Sequence, residues 1–238
     1  MINPDGYDDW IFDLDNTLYR AECNLFAQIN VRMHEYIVET LSVTEMQARE
    51  LRQQYYVEHG TTLSGLMCNH NISPDHFLDY VHDIDHAVLT NDHALREAID
   101  ALPGRKLIFT NGSVKHARNV TDALGLTACF DGVFDIAAAD YVPKPHRAPY
   151  DQFIAAFNIA PTRAVMFEDM AQNLEAPHQL GMTTVLVQSS AEWIQHEPAD
   201  KRPGQTATPL AQDHIHHTTD DITKFIETTL QSQQQLAQ

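Results

Sequence analysis

The sequence predicts an α/β fold, a parallel sheet covered by helices on both faces, with an all-helical insertion after the first strand. Three observations predict it. A short bulky apolar run, Trp10-Ile11-Phe12, opens the chain as a buried strand would. Residues 21–96 then carry helical periodicity with no convincing strand. From Leu102 onward, short apolar runs alternate with helical stretches, as in βαβ units.

Within the insertion, Leu25, Phe26, Ile29, Met33, Tyr36 and Ile37 recur at three- and four-residue steps, which predicts an amphipathic helix. Ser42-Val43-Thr44-Glu45 reads as a second helix start: Ser42 or Thr44 caps it, with Glu45 closing a capping box on Ser42. This helix passes Leu51 and Val57 and stops at Gly60. Ser73 and Pro74 begin another, containing Phe77, Leu78 and Val81. Asn91 or Asp92 opens a last one through Leu95 and Ile99. The expected division is a core of residues 1–19 and 98–238 and a cap of residues 20–97.

Pro103-Gly104 turns the chain into a second strand, 106–109, which ends in Thr110-Asn111-Gly112. A helix over 114–124 stops at Gly125, and a third strand covers 133–137. A helix over 149–158 and a strand over 164–167 follow, the latter ending in Glu168-Asp169. A short helix lies around 172–180, interrupted by Pro177, and a fifth strand spans 183–187. Residues 197–209 read as a loop and 214–217 as a last edge strand. Thr219-Asp220-Asp221 caps a final helix with Ile222, Phe225, Ile226 and Leu230, and 231–238 as a frayed tail.

The 238 residues carry a formal net charge of -18, which opposes nucleic-acid binding and attraction to anionic membranes. No apolar run approaches a membrane span, and the N-terminus lacks the pattern of a secretory signal. Cys23, Cys68 and Cys129 have neither metal spacing nor a disulfide framework, so a cytoplasmic location is expected.

The chemistry-bearing residues collect at strand ends. Asp13 and Asp15 follow the first strand, Thr110 and Asn111 the second, Lys144 the third, and Glu168 and Asp169 the fourth. Parallel strands place all these ends on one edge of the sheet, where α/β folds bind ligands. Close carboxylates repel unless a cation lies between them, and a hard divalent ion such as Mg²⁺ suits oxygen ligands. This inventory fits phosphoryl transfer, with an aspartate able to attack phosphorus.

These residues are similar to the four motifs of the haloacid dehalogenase superfamily of aspartate-nucleophile phosphatases. Asp13-Leu14-Asp15-Asn16-Thr17 matches the first motif, Thr110 the second, Lys144 the third and Glu168-Asp169 the fourth, and residues 8–187 follow that layout. The resemblance implies a Rossmann-like core with the insertion as a helical cap. Thr17-Leu18-Tyr19, Leu25-Phe26-Ala27-Gln28-Ile29, His59-Gly60-Thr61-Thr62-Leu63 and Val142-Pro143-Lys144-Pro145, together with Phe167-Glu168-Asp169, resemble the pyrimidine 5'-nucleotidase branch. One departure is Ser113, where relatives often carry an acid.

By that resemblance Asp13 is the nucleophile and Asp15 the proton donor and acceptor. The Asp13 carboxylate, the Asp15 carbonyl and Asp169 hold Mg²⁺, with Glu168 direct or through water. Thr110, the Asn111 backbone and Lys144 take the phosphoryl oxygens. The implied partner is a small phosphate monoester, such as UMP or CMP, acted on by a monomer or homodimer. Three other readings compete: a dehalogenase of the same fold, a phosphosugar phosphatase or mutase, and a non-catalytic binding protein. Asp15 and the acidic pair at 168 and 169 oppose the first, and the complete set of motifs opposes the last. His214, His216 and His217 read as a strand end rather than a metal site, and Phe26, Met33 and Tyr36 as packing within the cap. His59 to Thr62 reads equally as a ribose or base contact or as a helix stop, and Arg32 as facing either the site or water.

Overall fold

The computed structural model describes residues 2–196, 202, 204 and 213–236. Six strands form one sheet: β1 (Asp9–Phe12), β2 (Arg105–Phe109), β3 (Gly132–Phe134), β4 (Ala164–Glu168), β5 (Thr183–Val187) and β6 (His217–Thr219). Every pairing is parallel, in the order β3-β2-β1-β4-β5-β6. The chain builds outward from β1 on one side, then crosses to its other side at β4. That reversal opens a crevice beyond the carboxyl end of β1.

The alternation of β1 divides the core. Trp10 and Phe12 face a cluster with Ile108, Phe167 and Val185, into which helices α5 (His93–Ala101), α6 (Val114–Leu124) and α9 (Ile222–Leu236) pack. Ile11 faces the opposite cluster with Leu107, Phe109 and Met166, covered by α7 (Arg147–Phe157) and α8 (Glu175–Leu180). Phe12 and Phe167 stack at 4.8 Å between ring centroids, locking the two central strands in register.

Helices α1 (Leu25–Leu41), α2 (Glu45–His59), α3 (Thr62–His70) and α4 (Pro74–Val81) enclose a third cluster, built on Ile37, Tyr55, Leu66 and Phe77. Tyr36 is buried there against Phe77 and Tyr80, as its periodicity predicts. Helix α5 joins the sheet's cluster through Leu95, Ala98 and Ile99 rather than the cap's. None of the described helices is long and apolar enough to cross a membrane.

Several local expectations are corrected. Thr44, not Ser42, caps α2, and its capping box closes on Gln47. Ser42 ends α1 with φ +53°, and Glu45 pairs with His34 instead. Beyond Gly60, Thr61 accepts a hydrogen bond from the Ser64 amide and starts α3, a helix that the turn-rich sequence conceals. The third strand stops at Phe134, because the Asp135 carboxylate accepts from the Val114 and Ala138 amides and turns the chain. Ile136 is thereby released to pack against the cap. Strand β6 begins at His217, because Thr184 ties down the preceding residues through the His214 carbonyl and the His216 amide. Pro177 lies in the first turn of α8, where its missing N–H is harmless. Helix α9 runs on to Leu236 through residues expected to fray. The expected loop at 197–209 lies outside the described residues, apart from 202 and 204.

Helices α2 and α3 meet at Gly65, where an added Cβ would lie 2.3 Å from Tyr55 Cβ. Gly65→Ala is expected to cost about 1–3 kcal/mol by forcing the helices apart. Thermal denaturation reads it, and an unchanged Tm would show that the contact has slack.

Candidate active site

The sheet register brings the motif residues together. Phe12 lies opposite both Ile108 and Phe167, so the residues that follow these strands emerge side by side. The Asp13 amide donates to the Phe167 carbonyl at 2.9 Å, which holds Asp13 at the sheet edge. Asp13, Thr110, Lys144, Glu168 and Asp169 are all buried there. Asp15 and Asn111 line the same cavity.

Lys144 is the hub. Its ammonium donates to Asp13 Oδ1 at 2.8 Å, Glu168 Oε2 at 2.6 Å and the Phe109 carbonyl at 2.9 Å. These bonds use its three protons. The Asn111 side chain fixes the loop that delivers it: Oδ1 accepts from the Lys144 amide at 2.9 Å, and Nδ2 donates to the Lys144 carbonyl at 3.2 Å. The resemblance gave Asn111 a role only through its backbone, so this clamp was missed. Glu168 has both oxygens engaged, Oε1 accepting from the Met170 amide at 3.1 Å. Thr110 Oγ1 accepts from the Gly112 amide at 2.9 Å.

Charge sets the character of the site. Burial and the Glu168 carboxylate push Asp13 up to about 7, against the pull of Lys144. Burial, Glu168 and Asp13 raise Asp169 well above the ordinary carboxylate range. Burial works against the Lys144 charge, yet Asp13 and Glu168 outweigh it and raise its pKa. Among the described residues, Asp13, Glu168 and Asp169 form a buried cluster whose oxygens lie within 4.8 Å of one another. With all three ionised, their charges exceed that of Lys144 by two. A divalent ion with a preference for oxygen ligands matches both the excess and the donor set.

Asp15 is handled differently. Tyr19 donates its hydroxyl proton to Asp15 Oδ1 at 2.6 Å, and His116 Nε2 approaches the same oxygen at 2.8 Å. Burial pushes Asp15 up, but His116 and Tyr19 more than offset it and leave the carboxyl below its usual range. His116 was not singled out from the sequence. It lies 101 residues from Asp15 and carries no motif of its own; its place in the first turn after the Thr110 strand end was the available signal.

Between this edge and the cap lies a cavity of about 260 Å³. Phe26 and Met33 pack against the cap's cluster, as expected, and also form part of the cavity wall with Phe77 and Trp193, while Asn30 and Arg52 add polar groups. Phe26 stacks on Trp193 at 6.0 Å. Gly60, Thr61 and Thr62 also line the cavity, whereas His59 is not in the lining and bonds to Asn69. Arg32 is not in the lining either, pairing with Glu35 and lying over the Tyr80 ring. A second hollow of about 330 Å³, edged by Arg20, Glu22 and Asp221, lies beyond the 16–22 loop and contains none of the buried charged groups. The C-terminal histidines do not gather: His214 contacts the Ala171 carbonyl and His216 the Thr184 amide.

The chain is 31% identical over 136 residues to phosphate metabolism protein 8 of Saccharomyces cerevisiae, an alignment covering 52% of this chain and 42% of that protein. It is 37% identical over 86 residues to the enolase-phosphatase E1 of Frankia alni, covering 35% of this chain and 36% of that one. The chain thus spans about two fifths of the length of these curated relatives. Among solved structures, the L-2-haloacid dehalogenase of Xanthobacter autotrophicus with chloropropionic acid covalently bound superposes with a TM-score of 0.57 at 13% identity, covering 94% of this chain and 98% of that one. Such low identity speaks for a shared fold alone. The sequence profile described as haloacid dehalogenase-like hydrolase matches residues 10–181, well over half of the chain, and the chain belongs to that family.

Proposed function

We propose that the chain is a Mg²⁺-dependent phosphomonoesterase that works through an aspartyl phosphate on Asp13, and that its substrates are pyrimidine nucleoside monophosphates such as UMP and CMP. The observation that carries this reading is the juxtaposition of Lys144 with Asp13 and Glu168 at hydrogen-bond distance, Asp169 beside them and Asp15 at the same cavity. In this reading Asp13 attacks phosphorus as the bond to the ester oxygen breaks, and Asp15 gives that oxygen its proton. Asp15 then takes a proton from the water that cleaves the acyl phosphate. An incoming phosphate dianion raises the affinity of Asp15 for the proton it must first hold. Thr110, the Asn111 backbone and Lys144 position and neutralise the phosphoryl oxygens.

Asp13, Asp169 and the Asp15 carbonyl would hold Mg²⁺. Glu168, with both oxygens engaged, suits a contact through water. The ion supplies compensation for the phosphate charge. Its residence between Asp13 and Asp169 is part of the proposal.

The cavity wall supports the substrate class. A flat base fits against Phe26, Met33 and Trp193, while Arg52, whose Nη2 donates to Asn30 Oδ1 at 2.6 Å, presents polar groups to its edge. A hexose would set its hydroxyls against that apolar wall. A dehalogenase needs no proton for an alkoxide, so the presence of Asp15 at the cavity, with the acidic pair at 168 and 169, favours phosphoester cleavage over it. The cap falls within residues 20–97 and the remainder forms the core, to which α5, starting at His93, also belongs by its packing. Its place of action in this reading is the cytoplasm, as a monomer or homodimer.

A substrate panel tests the reading. UMP and CMP are expected to exceed AMP, GMP and hexose phosphates by more than about tenfold in kcat/KM. Chelation should abolish turnover and added Mg²⁺ restore it. Equal rates across the panel would remove the nucleotidase assignment, and turnover unaffected by chelation would remove the metal.

A further inference from the structure

We propose that His116 and the cap residue His82 form a device that aims Asp15, so that seating the cap sets the direction of the proton donor. This rests on the reading of Asp15 as the group that protonates the leaving oxygen.

Both donors to Asp15 converge on one oxygen. Tyr19 OH and His116 Nε2 lie 2.6 and 2.8 Å from Oδ1, while Oδ2 has no hydrogen-bond partner among the described residues. The Asp15 side chain keeps 14% of its surface exposed, and the residue lines the cavity. A Cβ added at Gly112 would lie 3.3 Å from both Thr110 Oγ1 and His116 Cδ2 and 3.7 Å from Asp15 Oδ2, so Oδ2, the threonine hydroxyl and the His116 ring surround one point at the turn. One oxygen is tethered and the other is presented.

The tether is itself held from the cap. His116 is 0% exposed. Its ring stacks on that of His82, at the end of α4, with centroids 4.2 Å apart and planes 6° from parallel. His82 Nδ1 lies 3.1 Å from Ser113 Oγ, and that same hydroxyl accepts from the His116 amide at 3.2 Å. A single cap residue therefore contacts both the imidazole that grips Asp15 and the serine that starts its helix. Withdrawing the cap would strip one face of His116 of its packing and free the ring to turn. His116 Nδ1 is buried without a hydrogen-bond partner, so an apolar side chain would fill this space at less desolvation cost. The bond to Asp15 is what the imidazole contributes beyond bulk.

First-turnover rates on two kinds of ester test the proposal. UMP and β-glycerophosphate expel alkoxides that need a proton, whereas p-nitrophenyl phosphate expels a stable phenolate. His116→Leu is expected to lower the first-turnover rate on the alkyl esters by about 100-fold, with KM nearly unchanged, and to leave p-nitrophenol release within about threefold. His116→Gln, whose amide reaches the place of Nε2, should recover most of that loss, and His116→Asn, which falls short, should not. His82→Leu should show the same selectivity in weaker form. If the Leu variant does not fold, the Gln and Asn pair carries the comparison. Equal loss on both ester kinds, or no loss on either, would reduce the stack to packing and overturn the proposal. Asp15→Asn in the same assay separates the two levels: no selective loss there would overturn the reading of Asp15 itself, whereas selective loss there but not in His116→Leu would overturn the aiming device alone.

Discussion

Asp13→Asn will remove turnover, by a factor on the order of 10⁴ or more, while the protein stays folded. An amide has the same shape as the carboxylate and still offers Lys144 an acceptor, but its oxygen is too weak a nucleophile to form the acyl phosphate. The expected effect on stability runs the other way from the effect on rate. Burial and Glu168 already disfavour the Asp13 carboxylate, so a neutral side chain at this place relieves a repulsion that the metal-free protein otherwise bears. Tm in the presence of a chelator should therefore be equal to or above that of the parent. Initial rates, circular dichroism and mass spectrometry of the quenched enzyme check the three parts separately: no turnover, native spectrum, no added phosphoryl group. Turnover within tenfold of the parent would refute covalent catalysis by Asp13.

The reason these groups were legible in sequence is local. Each follows a short apolar run, and parallel strands must carry the ends of such runs to one edge. Asp13 after Phe12, Thr110 after Phe109 and Glu168 at the end of β4 needed nothing else. The helix boundaries at Pro74, Asp92 and Gly125 were visible for the same reason, because caps act within a turn. What the sequence concealed depends on contacts across long separations. The stop of β3 at Phe134 requires Asp135 to find the first amide of α6, and the late start of β6 requires Thr184 to capture the His214 carbonyl. His116 meets Asp15 because the chain curls within the first motif, with Asn16 at φ +60°, and because α6 is packed beneath it. A capping box is intermediate: the signal at Thr44 was readable, but Glu45 was drawn to His34, a residue of the neighbouring helix.

Replacing Lys144 by Met should damage both rate and stability, and the second effect is the more informative. The stem is retained, so the change removes little besides the ammonium. That ammonium is buried, and all its protons are committed to Asp13, Glu168 and the Phe109 carbonyl. Its loss leaves three carboxylates facing one another with no protein cation between them, a situation that costs about 3–5 kcal/mol when one member of a buried pair is deleted. Lys144→Arg is not expected to rescue it, because a planar fork cannot meet three acceptors arranged around a point charge in a closed slot. Two treatments should restore stability, each by removing part of the same imbalance. Adding Asp13→Asn to the Met variant takes away one negative charge, so the double variant should be more stable than Lys144→Met alone, a coupling that a double-mutant cycle measures. Excess Mg²⁺ should raise the Tm of Lys144→Met by more than it raises that of the parent, because the ion then supplies charge that Lys144 provided. Turnover should fall by a factor on the order of 10³ and stay low with Mg²⁺ present, if the ammonium has the role proposed for it in neutralising the phosphoryl oxygens. If Lys144→Met unfolds at the parent's temperature and Asp13→Asn adds nothing to it, the four groups do not share one electrostatic balance, and the site would have to be divided into a structural ion pair and a separate reacting carboxylate.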